Sequence, residues 1–427
     1  MIGKSMHNSA HSPARIEHAE WLVRDETQAI FTALSAEGHG VRIVGGAVRN
    51  ALMRVPVKDV DFATTAVPHD VMRLARAAGL SAHPTGIDHG TITIVANHHP
   101  YEVTTLRRDI ETFGRHASVT FTSDWREDAA RRDFTINALY CDRDGAVIDP
   151  LGGYPDLVAR RIRFIGAPAD RIREDYLRIL RFFRFTAEYA HGEPDPEGLA
   201  ACVAHRDGLR RLSGERIRNE ILRLLIAPGV VPALEVMNRA GILEVALQQQ
   251  TTQEIRTLAR LAAIEAARRM PPDPMLRLSA LAAPDVPAAA ALARQLKLSS
   301  AEAARLEAIA GGWSRVPAPD DEASLKALLY RVKPRLYADL LLLAWARSRY
   351  GDGPSDETRT RAQSLPERWQ APDMPFRGAD LLARGIPPGR LVGEILESFE
   401  SWWVSAGFPS DPDRQRIELQ RIIRAVS

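Results

Sequence analysis

Two hydrophobic periods divide this chain. Over the first 150 residues, short runs of alternating apolar residues are interleaved with helical patterns. Residues 16–35 have helical spacing. VRIVGGAVRNALMRVPVKDVDFATTA then reads as strand, glycine turn, short helix and a second strand carrying Asp59 and Asp61. TTAVPHDVMRLARAAG predicts a helix with Pro68 near its first turn. In HGTITIVANHHPYEVTTLRRD, β-branched residues alternate on both sides of Asn97–Pro100, which predicts a hairpin. Residues 108–118 (RDIETFGRHAS) are charged, contain glycine and lack a period, so a mobile loop is expected there. WREDAARRDFTINALYCD is expected to be helical, and a small hairpin closes around Asp144-Gly145.

Beyond Pro150 the strand signal almost vanishes. DRIREDYLRILRFFRFTAEYA places Leu177, Leu180 and Phe183 at helical spacing among arginines. GERIRNEILRLLIAP, ALEVMNRAGILEVAL, TLARLAAIEAARRM and SLKALLYRV read as amphipathic helices, with breaks near 271–274, 316–321 and 351–355. WQAPDMPFRGADLLARGIPPGR reads as a linker into a last helical piece. The expected fold class is α+β, a small mixed-sheet head followed by an all-helical remainder. Three domains are expected, at 1–149, 150–270 and 271–427, with residues 1–15 a disordered lead-in.

Composition narrows the class. A length of 427 residues calls for more than one core, and 45% apolar with 26% charged residues is the balance of a globular protein. No run approaches the length of a membrane span, and the opening residues lack the apolar core of a secretory signal. Cys141 and Cys202 are too few for a disulfide framework or a four-cysteine zinc site, which fits a reducing cytoplasm. The formal net charge of +2 means that a polyanionic partner must be met by a local patch.

The candidate chemistry begins at Gly46 and Asp59. If Asp59 and Asp61 share a strand, they point to one face, and such a carboxylate pair favours a cation such as Mg²⁺ together with substrate phosphates. Glu102, on the strand YEVTTLR, either completes that site as a third carboxylate or pairs on the surface with Arg107 or Arg108. In RRDFTINAL, Arg131 and Arg132 either grip a triphosphate or form a solvated charge cluster. Asp133 is placed to accept from a ribose hydroxyl, with Asn137 one helical turn on. Asp175 and Arg178 set an acceptor beside a donor fork. That pair suits cytosine and adenine, which present an amine beside a ring nitrogen, and mismatches guanine and uracil. The same spacing also describes an ordinary intrahelical salt bridge. The histidines lack metal-ligand spacing, and Trp402 and Trp403 fit a core as well as a stacking platform.

Taken in order, GGAVRN…KDVDFAT, EVTTLRRD, RRDFTINALYCD, DPLGGYPDL, RFIG and REDYLRILRFFRF closely resemble the class II tRNA nucleotidyltransferases, the CCA-adding enzymes. Bacterial poly(A) polymerases share much of this set. The resemblance covers roughly residues 40 to 225. It implies an elongated arrangement of head, neck, body and tail, with Mg²⁺ at Asp59 and Asp61. It also implies triphosphate contacts by Gly45, Gly46, Arg49 and Arg132, a ribose contact by Asp133, and base selection of CTP, then ATP, by Asp175 and Arg178. The implied partners are CTP, ATP and the acceptor and T arms of tRNA, and segment 108–118 would help the switch from C to A. The alternatives are a poly(A) polymerase or an enzyme adding only CC or only A. One position departs from the family pattern: Asn50 stands where GGxVRD usually has Asp.

Overall fold

The structure, a computed structural model, describes residues 15–16, 19–113, 116–250, 253–348 and 356–426, with the backbone alone over 109–119. Apart from Arg15, the expected lead-in of residues 1–15 lies outside the described residues, as does the break at 351–355. The chain forms two compact units, Met1–Gln250 and Thr251–Ser427.

The first unit opens with helices α1 (Glu20–Val23) and α2 (Asp25–Ser35), then strand β1 (Val41–Val44) and helix α3 (Gly46–Leu52). Strand β2 (Asp61–Thr64), helix α4 (Pro68–Ala77) and strands β3 (Ser81–Gly86), β4 (Thr91–Ala96) and β5 (His99–Thr105) follow. With β8 (Tyr140–Cys141) and β9 (Val147–Ile148) these strands make a seven-stranded sheet in the order β3-β4-β5-β2-β1-β8-β9. Only the β2–β5 pair is parallel, so the sheet is mixed. One face is apolar: Phe62, Ile92, Ile94, Tyr101 and Val103 are buried, and Phe62 meets the Phe31 ring of α2 edge-on at 5.1 Å. The other face presents Asp61, Glu102 and Thr104, the polar positions of the same alternation.

Three local expectations are corrected. Segment 108–118, read as a loop, belongs to a two-stranded hairpin, β6 (Arg107–Phe113) and β7 (His116–Phe121). A separate ribbon is held by its backbone ladder and needs no clean two-residue period, so its strands were hidden among charges. Residues 114–115 at its tip lie outside the described residues. The helix expected from Trp125 onward ends early: α5 is only Trp125–Ala130, capped by Asp124, and a 3₁₀ turn follows at Thr135–Asn137. The Asp133 carboxylate accepts from the Phe134 N–H at 2.9 Å, a local bond that competes with helix. Finally, β2 begins at Asp61, so Asp59 precedes the strand in irregular chain instead of sharing its face.

Helices α6 (Tyr154–Val158), α7 (Pro168–Glu174), α8 (Leu177–Tyr189), α9 (Pro196–His205), α10 (Gly214–Leu225), α11 (Val230–Arg239) and α12 (Ile242–Leu247) complete the unit. ALEVMNRAGILEVAL is thus two helices, parted at Gly241, whose φ of +67° suits glycine. Four aromatic rings bind α8 to the sheet side. Phe134 lies 4.9 Å from Phe164 and 5.2 Å from Phe185, and Phe164 stacks on Phe182 at 5.4 Å. All four are buried.

The second unit is helical throughout its described residues. Helices α13 (Glu254–Ala267), α14 (Pro274–Ala282), α15 (Val286–Gln295) and α16 (Ser300–Gly312) precede α17 (Glu322–Arg347), which is interrupted where Lys333, ahead of Pro334, turns to φ +69°. Buried Arg277 is paired with Glu265 at 2.6 Å, and Arg305 bridges Asp273 and Asp339. A second core gathers Leu381, Ile395, Phe399, Trp403 and Leu419, so Trp403 is a core residue. The stretch read as a linker contains the short helix Gly378–Leu382. Among the described residues, no single helix is long and apolar enough to cross a membrane.

The aromatic cluster gives a direct stability test. Phe134→Ala removes a fully buried ring and should lower unfolding stability by about 3–5 kcal/mol, read as a shift of the denaturant midpoint. A loss below about 1 kcal/mol would mean that the cluster does not fasten α8.

Candidate active site

The glycine turn does two things. Gly45 adopts φ +71° and ψ −117°, a conformation open to glycine, and starts α3 at Gly46. Helix α3 then carries Arg49 back into the protein, where it is 7% exposed. Its guanidinium donates to Asn137 Oδ1 at 2.5 Å and to the Tyr189 hydroxyl at 2.8 Å, and lies over the Tyr189 ring at 4.2 Å. Burial pulls the Arg49 pKa down, opposed by Tyr189 and Glu188. The neighbouring Asn50 accepts from Arg49 Nε and Nη2 at 3.1 and 2.9 Å, and its amide donates to the Pro56 carbonyl at 3.0 Å. An aspartate here would keep the first contacts and lose the last, because a carboxylate has no proton to give that carbonyl.

Asp61 heads β2, and β5 runs parallel beside it in the register Phe62↔Val103, which brings Glu102 alongside. The Asp61 carboxyl is pushed up to about 6 by crowding protein atoms, then by the charges of Glu102 and Asp59, with Arg132 opposing. Clustered carboxylates that raise one another's pKa are relieved by a cation. Among the described residues, no group of three or more His, Cys, Asp or Glu is close enough to hold a metal alone. Carboxylate oxygens suit a hard divalent ion, which could take its remaining ligands from water and phosphate. Asp59 is exposed and is not part of the cleft wall, although its charge reaches Asp61.

Beyond the carboxylates the cleft is positive. Asp128, 1% exposed, accepts from Arg131 at 2.7 Å, Arg132 at 3.0 Å and the Tyr140 hydroxyl at 2.7 Å. Burial would raise its pKa, but Arg132 and Arg131 together with that hydroxyl bring it to about 2. Arg132 Nε is buried with no hydrogen-bond partner, a donor left for a ligand. Asp133 is saturated: Phe134 N–H and Asn137 Nδ2 bind Oδ1 at 2.9 Å each, and Arg181 grips Oδ2 at 2.6 and 2.8 Å. Its carboxyl stays below the ordinary range despite burial because of Arg181 and Asn137.

Asp175 and Arg178 do not share a helix. Asp175 occupies the extended break after α7, at φ −152° and ψ 107°, and Arg178 lies in the first turn of α8. The expected salt bridge between them is replaced by two others. Arg178 Nη1 pairs with Glu174 at 2.6 Å, and Asp175 Oδ2 pairs with Arg216 of α10 at 2.7 Å. Tyr176, between them, packs its ring into space that only glycine leaves at 208, since a Cβ there would overlap it.

One cleft of about 570 Å³ collects Gly45, Gly46, Arg49, Asp61, Glu102, Arg132, Asp133, Asn137, Asp175 and Arg178. That volume suits a nucleotide-sized ligand. Its walls carry eight arginines against four carboxylates, so a polyanion is favoured over most of it, with the acidic edge at Asp61 and Glu102. Sequence reasoning passed over Asp128, Arg181, Arg184 and Arg223 as site residues. Arg178, Arg181 and Arg184 do recur every three residues in RILRFFR, a one-sided arginine stripe visible in the sequence. Asp128, the shared partner of Arg131 and Arg132, stands three and four residues before them, a helical spacing that the sequence also carries.

Residues 41–163 match the model of the poly(A) polymerase head domain, and residues 193–254 match a probable RNA- and SrmB-binding site of polymerase A. The chain is 32% identical to the Homo sapiens protein named CCA tRNA nucleotidyltransferase 1, mitochondrial, over 92% of this chain and 91% of that one. A CCA-adding enzyme of Geobacillus stearothermophilus is 39% identical over 51% of this chain and 53% of its own. Among solved structures, the Bacillus stearothermophilus CCA-adding enzyme in complex with CTP superimposes with a TM-score of 0.76 at 29% identity, covering 94% of this chain and 97% of that one. The Thermotoga maritima CCA-adding enzyme complexed with tRNA shares the fold, with a TM-score of 0.65 at 18% identity. Divalent-metal use is general in this group, in agreement with the crowded carboxylates.

Two predictions follow from the charges. Below about pH 6 Asp61 takes up a proton, and a protonated carboxyl would bind a cation poorly. Added divalent cation should therefore raise the melting temperature more at pH 7.5 than at pH 5, and Asp61→Asn should abolish the difference. Equal stabilisation at both pH values would remove Asp61 from the cation site. Arg181→Met leaves Asp133 buried and under-compensated, at an expected cost of about 3–5 kcal/mol in urea unfolding. Asp133→Asn in the same background should recover part of it.

Proposed function

Since this chain belongs to the CCA-adding tRNA nucleotidyltransferases, we propose that its cleft is the transfer site, with the reacting phosphate at Asp59, Asp61 and Glu102 and the incoming base at Asp175 and Arg178. The reaction adds C, C and A to the 3′ end of tRNA from CTP and ATP, releasing pyrophosphate. What carries the residue assignment is the opening of Asp61, Glu102, Asp175 and Arg178 into one cleft with arginines between them. The coordinating ion is assigned as Mg²⁺, whose bond to carboxylate, water and phosphate oxygens would make the 3′-hydroxyl a better nucleophile and balance the charge leaving on pyrophosphate.

The protein's own part is positioning and electrostatics. Arg132, with its unpartnered Nε, and Arg49 face the triphosphate beside the Gly45–Gly46 turn. Asp133 is assigned to the ribose, whose hydroxyl would take the place of one of the two Arg181 contacts on Oδ2, while Asn137 keeps the carboxylate in place. Asp175 offers an acceptor and Arg178 a donor fork to the base edge. Each mismatched polar group against guanine or uracil costs ~1–3 kcal/mol. We assign residues 1–149 to catalysis, 150–270 to base recognition and 271–427 to holding the acceptor and T arms through phosphate contacts. The compartment we assign is the cytoplasm, on the strength of a chain with only two cysteines; the human relative is named as mitochondrial.

The test uses tRNA lacking CCA, each nucleoside triphosphate in turn and in mixture, and sequencing of the product ends. Three added residues, CCA, are expected. A long A tail would indicate a poly(A) polymerase, and a stop after CC or addition of A alone would indicate a partial enzyme. Asp61→Ala should lower incorporation by about a hundredfold or more while leaving tRNA affinity in place. Near-normal turnover would take Asp61 out of the reaction.

A further inference from the structure

The base-reading carboxylate is itself held. Asp175 lies in the extended break between α7 and α8, where its backbone belongs to neither helix. Its Oδ1 accepts the Leu177 N–H at 3.1 Å, and its Oδ2 accepts Arg216 Nη2 at 2.7 Å. Both side chains of that pair are about one-fifth exposed, so the contact is partly shielded from solvent. Arg216 comes from the first turn of α10, 41 residues further along the chain. It is not among the residues lining the cleft, whereas Asp175 is. Its direct contact with the cleft wall is through Asp175.

We propose that Arg216 is a specificity-determining positioning residue, which fixes the Asp175 carboxylate so that the cleft rejects uracil and guanine. The inference rests on the reading of Asp175 as the acceptor that meets the base. Its physical basis is that rejection and attraction make different demands. To attract the cytosine or adenine amine, a carboxylate can swing to meet it. To repel the carbonyl that uracil or guanine presents at the same place, an acceptor must be unable to swing away. A bond on each oxygen, one to backbone and one to a guanidinium on another helix, removes that freedom. Arg178 is restrained in the same way, by Glu174 at 2.6 Å and by the Arg171 carbonyl at 2.9 Å. The two halves of the reading edge are thus fixed independently, from α10 and from α7.

The test measures single-nucleotide incorporation into tRNA lacking CCA, with CTP and with UTP, together with tRNA affinity. Arg216→Gln should lower the CTP-over-UTP ratio of kcat/KM by about tenfold or more, through better use of UTP and a higher KM for CTP, with tRNA affinity kept. Arg216→Lys, which keeps the charge but loses the planar fork, should also give a ratio below that of the parent protein. In an Asp175→Ala background, Arg216→Gln should change the ratio no further, because its effect passes through the missing carboxylate. A uniform loss with both nucleotides and an unchanged ratio would make Arg216 merely structural and overturn the proposal. So would an unchanged ratio in Arg216→Lys alone, should the Gln variant fail to fold. If Asp175→Ala by itself leaves the ratio unchanged, it is the reading of Asp175 that fails.

Discussion

A buried chain of charge and hydrogen bonds sets the geometry of this cleft. It runs from Arg49 through Asn137 to Asp133, and from there to Arg181 on α8. Arg181 also faces Glu220 at 3.7 Å, and Glu220 binds Arg184 at 2.6 Å. Each link satisfies a group that burial would otherwise penalise, so removing one strands its neighbour. The chain ties the glycine turn after β1 to α8, the helix that begins just after the break holding Asp175. The glycine-turn end and the Asp175 end of the cleft are thus joined by one network, with the phenylalanine cluster of 134, 164, 182 and 185 as its apolar backing.

The electrostatics of the cleft divide its labour. Arginines outnumber carboxylates over most of the wall, yet most are already engaged: Arg131 and Arg132 by Asp128, Arg178 by Glu174, Arg181 by Asp133 and Arg184 by Glu220. Such pairing holds the guanidiniums in place ahead of binding, which limits the reorganisation needed when a polyphosphate arrives. At Asp61 and Glu102 like charge accumulates, and burial together with Glu102 and Asp59 outweighs the opposing Arg132, so the Asp61 carboxyl rises to about 6. The charges would thus favour a cation and a polyphosphate in adjoining parts of the same cleft.

Much of this could be read from residue order. The glycine turn, the strand carrying Asp61, the Asn97 hairpin and the switch to helix after Pro150 all leave local periodic signatures, and each appears in the structure. Polar partners far apart in sequence leave none. Asp175 and Arg178 suggested a shared helix because three-residue spacing is all that a linear reading offers; the break between α7 and α8 sends them to Arg216 and Glu174 instead. Asp59 and Asp61 likewise suggested one strand face, but the strand starts only at the second of them. The hairpin at 107–121 escaped notice because its charged strands lack a clean two-residue period. Asn50, a departure in the motif, acquires a use that spacing alone did not offer: its amide reaches the Pro56 carbonyl.

If Asp175 and Arg178 form a protein-borne template, as proposed, the cleft must express it before any RNA arrives. Calorimetric titration of the RNA-free protein with each of the four nucleoside triphosphates, in Mg²⁺, addresses this most directly. CTP and ATP are expected to bind with comparable affinity, and UTP and GTP about tenfold or more weakly, because each meets a held acceptor with a carbonyl. Equal affinity for all four would contradict a protein-borne template and shift the choice of base to the RNA.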